Sequence, residues 1–289
     1  MGASDVVPGV SGGTMAFILG IYEELINSIK SIDLNVIRLA LTLKLKEVFA
    51  IVPWRFLLAV FSGILLAIFS LAKGLEWLLE NQPVLIWSFF FGLVIASCFT
   101  VSKRVKNWNA ATLTALILSA IGAFILVGLV PVSTPDELWF IFLSGVIAIC
   151  AMILPGISGS FILVLLGKYQ TILSAVNNRD FLTLFVFMLG AAIGIITFAR
   201  FISWLFNRYH DLTVAVLIGL MVGSLRKVWP WKETISTILD RHGEEIPLVQ
   251  HNILPVNFNA EVIFAIGLVI LGIVVVIGLE NMALQQEAH

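Results

Sequence analysis

Pro-Gly-x-Ser-Gly occurs twice in this sequence, as Pro8-Gly9-Val10-Ser11-Gly12 and as Pro155-Gly156-Ile157-Ser158-Gly159, and each copy leads into an apolar run. Proline has no N–H and pushes the residue before it out of the helical region, so an incoming helix must stop there. Glycine then permits a tight reversal, and serine can cap a new helix. A chain that places such breaks inside apolar sequence has to satisfy the freed backbone groups internally, and that narrows the folds open to it.

The surroundings of the breaks set the class. Sixty per cent of the 289 residues are hydrophobic, 12% are charged, and the mean hydropathy is +1.04. Soluble domains carry about a quarter charged residues. Apolar runs of about 17–25 residues, the length that crosses a bilayer, predict spans near 55–74, 83–102, 109–131, 181–203, 211–226 and 260–280. Stretches 139–154 and 160–176 flank the second break, and 14–29 follows the first. All eight tryptophans fall near predicted span ends, where an indole favours the interface. Residues 33–50 read as an amphipathic surface segment, and 227–258 as the longest polar loop. The net charge of −1 gives no basic field for nucleic acid. Cys98 and Cys150 sit in apolar runs and call for no disulfide or metal, so no cofactor is expected. The start lacks a basic n-region, and Val6 stands where a myristoylation site wants Ser or Thr.

Sliding the chain against itself reveals an internal repeat. At an offset of 147, Pro8, Gly9, Ser11, Gly12, Leu19, Gly20 and Tyr22 fall on Pro155, Gly156, Ser158, Gly159, Leu166, Gly167 and Tyr169. At 127, Gly63, Trp77, Gly92 and Ser97 fall on Gly190, Trp204, Gly219 and Ser224, with Lys73 on Arg200. A weaker match puts Gly122 and Gly128 on Gly272 and Gly278. One helix through 139–176 would run about 56 Å against a hydrocarbon core of about 30 Å, so it must fold back at the break. A hairpin returns to its starting side, and three further spans then invert the second half relative to the first. The expected fold is an all-α polytopic membrane protein of two inverted repeats, each a broken-helix hairpin with a Pro-Gly-x-Ser-Gly tip plus three spans. The first repeat covers 1–135, with hairpin arm 14–29 and surface segment 33–50. The second covers 136–289, with hairpin 139–176 and polar loop 227–258.

Helix N-termini at the two tips present backbone N–H groups without intrahelical partners, which suits an anion. Candidate binding residues are therefore Ser11, Gly12, Gly13, Thr14, Ser158, Gly159 and Ser160, with Arg200 as the basic partner that can grip two oxygens at once. A packing kink and a snorkelling arginine are the plainer readings of the same residues. Arg226 closes a span and reads as a topological charge, with a phosphate role left open. Asp5 and Glu23 have Met152 and Gln170 as repeat counterparts, so an acid is present in one half alone, as proton or cation coupling would need. A serine-hydrolase reading of Ser11 finds no base, since all four histidines fall in predicted loops or the tail.

Asp5-Val6-Val7-Pro8-Gly9-Val10-Ser11-Gly12-Gly13-Thr14 with Gly20-Ile21-Tyr22-Glu23 resembles the signature of the bacterial polyprenyl-phosphate transporter family, long catalogued as a domain of unknown function. Pro155 to Ser160, Phe198-Ala199-Arg200 and Gly219 to Leu225 resemble its second-half blocks. The resemblance implies a multi-pass protein of the bacterial cytoplasmic membrane that returns undecaprenyl phosphate, the lipid carrier of peptidoglycan and other envelope glycans, across the bilayer. Family members carry an apolar half-helix before the first block, whereas seven residues precede Pro8 here, so the expectation is a start upstream of Met1 or a shortened chain. The rival readings are a small-anion transporter or channel, and a membrane enzyme acting on a lipid phosphate. The sequence does not address the oligomeric state.

Overall fold

The computed structural model describes residues 1–2, 12–132, 134–239, 245–255 and 257–287. The chain is mostly helical. After the first tip come α1 (Gly12–Ile18) and α2 (Tyr22–Lys30), then α3 (Leu34–Leu41) and α4 (Leu45–Ile51), α5 (Trp54–Asn81), α6 (Pro83–Ser102) and α7 (Ala110–Leu126). The second hairpin comprises α8 (Leu138–Ile153), α9 (Gly159–Leu165) and α10 (Tyr169–Asn177). It is followed by α11 (Phe181–Val228), strands β1 (Lys232–Leu239) and β2 (Glu245–Asn252), and α12 (Ala260–Glu287). Among the described residues, four helices contain windows long and apolar enough to cross a membrane: α5, α6, α11 and α12.

Local chemistry sets many of these boundaries. Pro83 opens α6, where its missing N–H costs nothing. Asn109 and Thr112 form a reciprocal capping box on α7, and Asp180 caps α11 through Thr183 N–H. The surface segment at 33–50 folds as α3 and α4, with Asp33 capping the first and Leu43 in the left-handed region between them. The polar segment after α11 contains an antiparallel β1–β2 pair. That pair is the one departure from an all-helical chain among the described residues.

At 48 residues, α11 would run about 72 Å if straight. It does not. Cys150 Sγ lies 3.8 Å from the Gly194 carbonyl, while a Cβ on Gly156 would stand 3.1 Å from Met221 Cα. Residues 194 and 221 would be about 40 Å apart on a straight helix, beyond what the segment 150–156 can bridge at about 3.5 Å per residue. The helix folds back at Tyr209, whose φ of −139° and ψ of 53° are non-helical. Its two arms are the predicted spans 181–203 and 211–226, joined by a tight break.

Helices α6 and α12 run side by side in the same direction. Gly92 lies against Val269, Gly272 against Phe89, and Glu280 accepts hydrogen bonds from Thr100 and Lys103. In the same sense α7 accompanies the second arm of α11: Gly219 lies against Leu116 and Ser119, and Gly223 against Ala120. The two contacts are reciprocal in the repeat. Gly92 aligns with Gly219, and the offset that puts Gly122 on Gly272 also puts Ser119 on Val269. The first arm of α11 runs alongside α8, with Gly190 against Phe142 and Gly194 against Val146. Its repeat counterpart, α5, is largely exposed, with Phe61, Leu66 and Phe69 pointing outward.

The glycine contacts generate a stability prediction. A Cβ at Gly92 would strike the Val269 backbone and one at Gly219 the Leu116 carbonyl, whereas Gly63 and Gly267 have open space. Backbone cannot yield as a side-chain tip can, and overpacking costs about 1–3 kcal/mol. Gly92→Ala and Gly219→Ala should each lower the unfolding temperature in detergent, and Gly63→Ala and Gly267→Ala should leave it unchanged. Equal effects at all four positions would contradict these packing contacts.

Candidate functional site

Each repeat turns from its tip helix into the next helix with the same backbone device. Leu19, Gly20 and Ile21 N–H groups donate to Met15, Phe17 and Ala16 carbonyls, and Leu166, Gly167 and Lys168 donate to Ile162, Val164 and Leu163. These are the same three bonds displaced by 147 residues. Gly20 and Gly167 have φ of 75° and 64°, the left-handed conformation that a helix C-cap of this kind needs. After the second motif the chain bends by 106° between α9 and α10.

The returning arm of the second hairpin goes back to where the hairpin began. Val132 N–H donates to the Leu165 carbonyl, and Thr134 Oγ1 to the Leu166 carbonyl. Lys168, 1% exposed, donates to the Thr134 carbonyl and pairs with Asp136 at 2.5 Å. Both anchors lie in the loop just before α8. The return arm α2 of the first hairpin ends at the opposite end of the molecule, where Lys30 Nζ donates to Ser203 Oγ near the α11 break.

The helix that follows the first motif touches the second motif. Gly156 N–H donates to Thr14 Oγ1 at 3.1 Å, joining residues 142 positions apart. Tyr22 OH donates to the Ile153 carbonyl at 3.3 Å. Thr14 is 2% exposed, and Gly12, Gly13, Gly156 and Gly159 are buried. Gly156 has φ of 88°, and a Cβ there would stand 2.7 Å from Ser224 Oγ. Ser158 caps α9 through Phe161 N–H at 3.5 Å, and its hydroxyl lies 2.7 Å from that of exposed Ser160. Ser224 and its repeat partner Ser97 are both buried and donate back to carbonyls of their own helices, Met221 and Leu93.

Of the residues expected from sequence, Thr14 meets the second motif at Gly156, Ser158 and Ser160 lie against one another two residues further on, Gly159 faces Ala148 of α8, and Gly12 and Gly13 open α1. Ser11 and Asp5 lie outside the described residues. Arg200 is exposed on α11, as is its counterpart Lys73 on α5, and no hydrogen bond or ion pair involves Arg200 among the described residues. Glu23 stands in the first turn of α2, with a carboxylate oxygen 3.6 Å from His210 Nε2, and His210 Nδ1 is 3.1 Å from Asp211. The sequence reading placed His210 in a loop; it lies at the α11 break, which has neither proline nor glycine to announce it. An open cleft of about 400 Å³ adjoins the α11 break, lined by Lys106, Asn109, Thr112, Tyr209 and His210. Ser224 escaped the sequence reading as a site residue although its alignment with Ser97 was visible. No group of residues suited to hold a metal ion occurs among the described residues.

The Thr14–Gly156 bond should be separable from bulk packing. Thr14→Val keeps the shape and leaves a buried N–H unpaired, which costs about 1–3 kcal/mol, while Thr14→Ser keeps the acceptor. Thermal unfolding in detergent should therefore drop for Val and stay near wild type for Ser. Equal values for the two variants would show that the hydroxyl carries no such bond.

Comparisons with known proteins give a consistent picture. The profile of the VCA0040-like family, described as undecaprenyl phosphate translocase-like, matches residues 1–246. A polyprenyl-phosphate transporter of Vibrio cholerae serotype O1 (strain ATCC 39315 / El Tor Inaba N16961) is 43% identical over 289 residues, covering 98% of this chain and 94% of the relative. A polyprenyl-phosphate transporter of Staphylococcus aureus (strain NCTC 8325 / PS 47) is 32% identical over 250 residues, covering 80% of this chain and 83% of the relative. No solved structure matches the chain.

Proposed function

This chain belongs to the undecaprenyl phosphate translocase-like family, and from that premise we propose that it carries a polyprenyl phosphate across the bacterial cytoplasmic membrane. It is a transporter rather than an enzyme. The observation that carries the mechanism is the contact between the two tips, Gly156 N–H to Thr14 Oγ1. It joins the second break to the first turn of the helix that follows the first motif, and this supports a headgroup path between the two.

Several contacts support an inverted-repeat plan. The arms that follow the two motifs are anchored at opposite ends of the molecule, by Lys30 and by Lys168, and α6 and the second arm of α11 pack in the same direction against α12 and α7. In such a plan one headgroup site faces either side by rocking of the halves. The phosphate is held by backbone and hydroxyl groups of Ser11, Gly12, Gly13, Thr14, Ser158, Gly159 and Ser160. The polyprenyl tail remains in lipid beside the exposed apolar surface of α5. Glu23, opposite His210, and Asp5 are the carboxylates available for proton or cation coupling.

Arg200 is assigned the pairing charge. A phosphate monoester carries between one and two negative charges, and helix termini supply partial charges alone, so a full positive charge has to come from a side chain. Its exposed position makes it the residue on which the proposal is tested. In cells that depend on this protein, Arg200→Ala should leave undecaprenyl phosphate accumulated at the outer surface, read with a binder specific for that headgroup. Arg200→Lys should recover part of the activity, because Lys73 occupies the equivalent position in the other half. Normal surface levels in a well-expressed Ala variant would remove Arg200 from the site.

A further inference from the structure

The second arm of α11 ends in a group of cations that the tips do not use. Arg226 is engaged: its guanidinium donates to the Phe124 carbonyl at 3.0 Å and lies 4.5 Å from the Phe124 ring centre. Lys227 and Lys232 are different. Lys227 Nζ stands 4.9 Å from the Phe161 ring centre, and Lys232 Nζ stands 4.3 Å from that of Trp87 while donating to the Lys227 carbonyl at 2.6 Å. Both are partly buried, and neither has a carboxylate within ion-pair distance among the described residues. Elsewhere in the fold Lys44, Lys103 and Lys168 each have an acid within 4 Å, at Glu47, Glu280 and Asp136.

Two ammonium groups brought together over aromatic faces, without a counter-charge, pay desolvation and mutual repulsion. Burial, and then the charge of Lys227, hold the Lys232 ammonium well below the usual lysine range, at about 7. Snorkelling does not account for this, because a snorkelling lysine sends its ammonium to water, whereas that of Lys232 turns to a carbonyl and a ring. Beside Lys232, the Trp231 indole N–H is the buried side-chain polar group without a hydrogen-bond partner among the described residues. The side chains of Lys227, Trp231 and Lys232 thus offer donors and no acceptor, the complement of an anion.

Its place in the fold says what the anion is for. Phe161 follows Ser160 at the second tip, and Ser224, one turn before Lys227, packs on Gly156. The cluster lies at the end of the molecule opposite Lys103 and Lys106, among Trp87, Trp229 and Trp231, at interface depth by the preference of indoles. We infer that Lys227, Lys232 and Trp231 form a second phosphate-monoester site, a station at the membrane surface from which a headgroup is handed to the tips. This inference rests on the translocase reading above and adds a residue-level entry point to it. The ring faces of Phe161 and Trp87 flank the ammonium groups and give a lipid-borne phosphate apolar contact that a free phosphate would not use.

The test measures equilibrium binding of radiolabelled geranylgeranyl phosphate to the purified full chain in detergent, with geranylgeraniol and inorganic phosphate as competitors. Lys227→Gln/Lys232→Gln should weaken binding roughly tenfold or more. Lys227→Arg/Lys232→Arg should retain most of it, and Lys103→Gln, at the opposite end, should have no effect. Trp231→Phe, which removes the spare donor and keeps the ring, should weaken binding a few-fold and serves if the double Gln variant fails to fold. Inorganic phosphate at millimolar concentration should displace little label; displacement as effective as by unlabelled geranylgeranyl phosphate would overturn the lipid assignment in favour of free phosphate. Wild-type affinity in the double Gln variant or in Trp231→Phe would overturn the site and leave the translocase reading standing. Failure of the wild-type chain to bind geranylgeranyl phosphate in preference to geranylgeraniol would overturn the translocase reading itself.

Discussion

A backbone break inside an apolar fold has to find partners for the hydrogen-bonding groups it frees, and the rest of this structure is arranged around that requirement. At Gly156 the N–H finds Thr14 Oγ1, a side chain from the other half of the chain. The bond needs a glycine at 156, where φ is 88° and Ser224 leaves no room for a Cβ. It also needs Thr14 on the first turn of α1, immediately after the first break. Everything that brings α1 and α9 to the same depth therefore serves this contact: the matched glycine caps at Gly20 and Gly167, the strap from Lys168 to the 132–136 loop, and the fold-back of α11 that sets Ser224 beside Gly156.

The close helix pairs explain how such tips are held without a water-driven core. In lipid, apolar side chains gain little from hiding against one another, and helices associate through close backbone approach at small residues. Gly92, Gly190, Gly194, Gly219, Gly223 and Gly272 each lie against the backbone of a partner helix. The α6–α12 and α7–α11 pairs use positions that the sequence repeat aligns, Gly92 with Gly219 and Ser119 with Val269, so each pair joins a helix of the first half of the chain to one of the second.

Much of this was legible in the sequence because the repeat carries it. The offset of 147 that aligned the two breaks also aligned Gly20 with Gly167, and the backbone bonds repeat at that spacing. The apolar runs placed the starts of α5, α6, α7, α11 and α12 to within one residue, while α5 and α12 run on to Asn81 and Glu287, beyond the predicted ends at 74 and 280. The α11 break was legible as the gap between the predicted spans 181–203 and 211–226, although Arg208-Tyr209-His210 contains no proline or glycine to mark the residue at which the chain turns. The β1–β2 pair was read as loop because its polar character masked an Ile and Thr pattern suited to a strand. Thr14 was visible as a candidate ligand, yet its role as a strut to Gly156 depends on a partner that no local signal names. Arg200 shows the converse: a cation in an apolar run suggested a buried partner, and the structure leaves it facing outward.

The central claim is that the paired tips move a lipid phosphate from one leaflet to the other. The most direct measurement uses the purified full chain in liposomes containing a fluorescent polyprenyl phosphate, with a membrane-impermeant quencher added outside. The account predicts that protein-containing vesicles lose nearly all fluorescence over time while protein-free vesicles lose only the outer-leaflet half. It also predicts that Thr14→Val slows this exchange more than Thr14→Ser. Quenching that stops at the same half with and without protein would contradict the account.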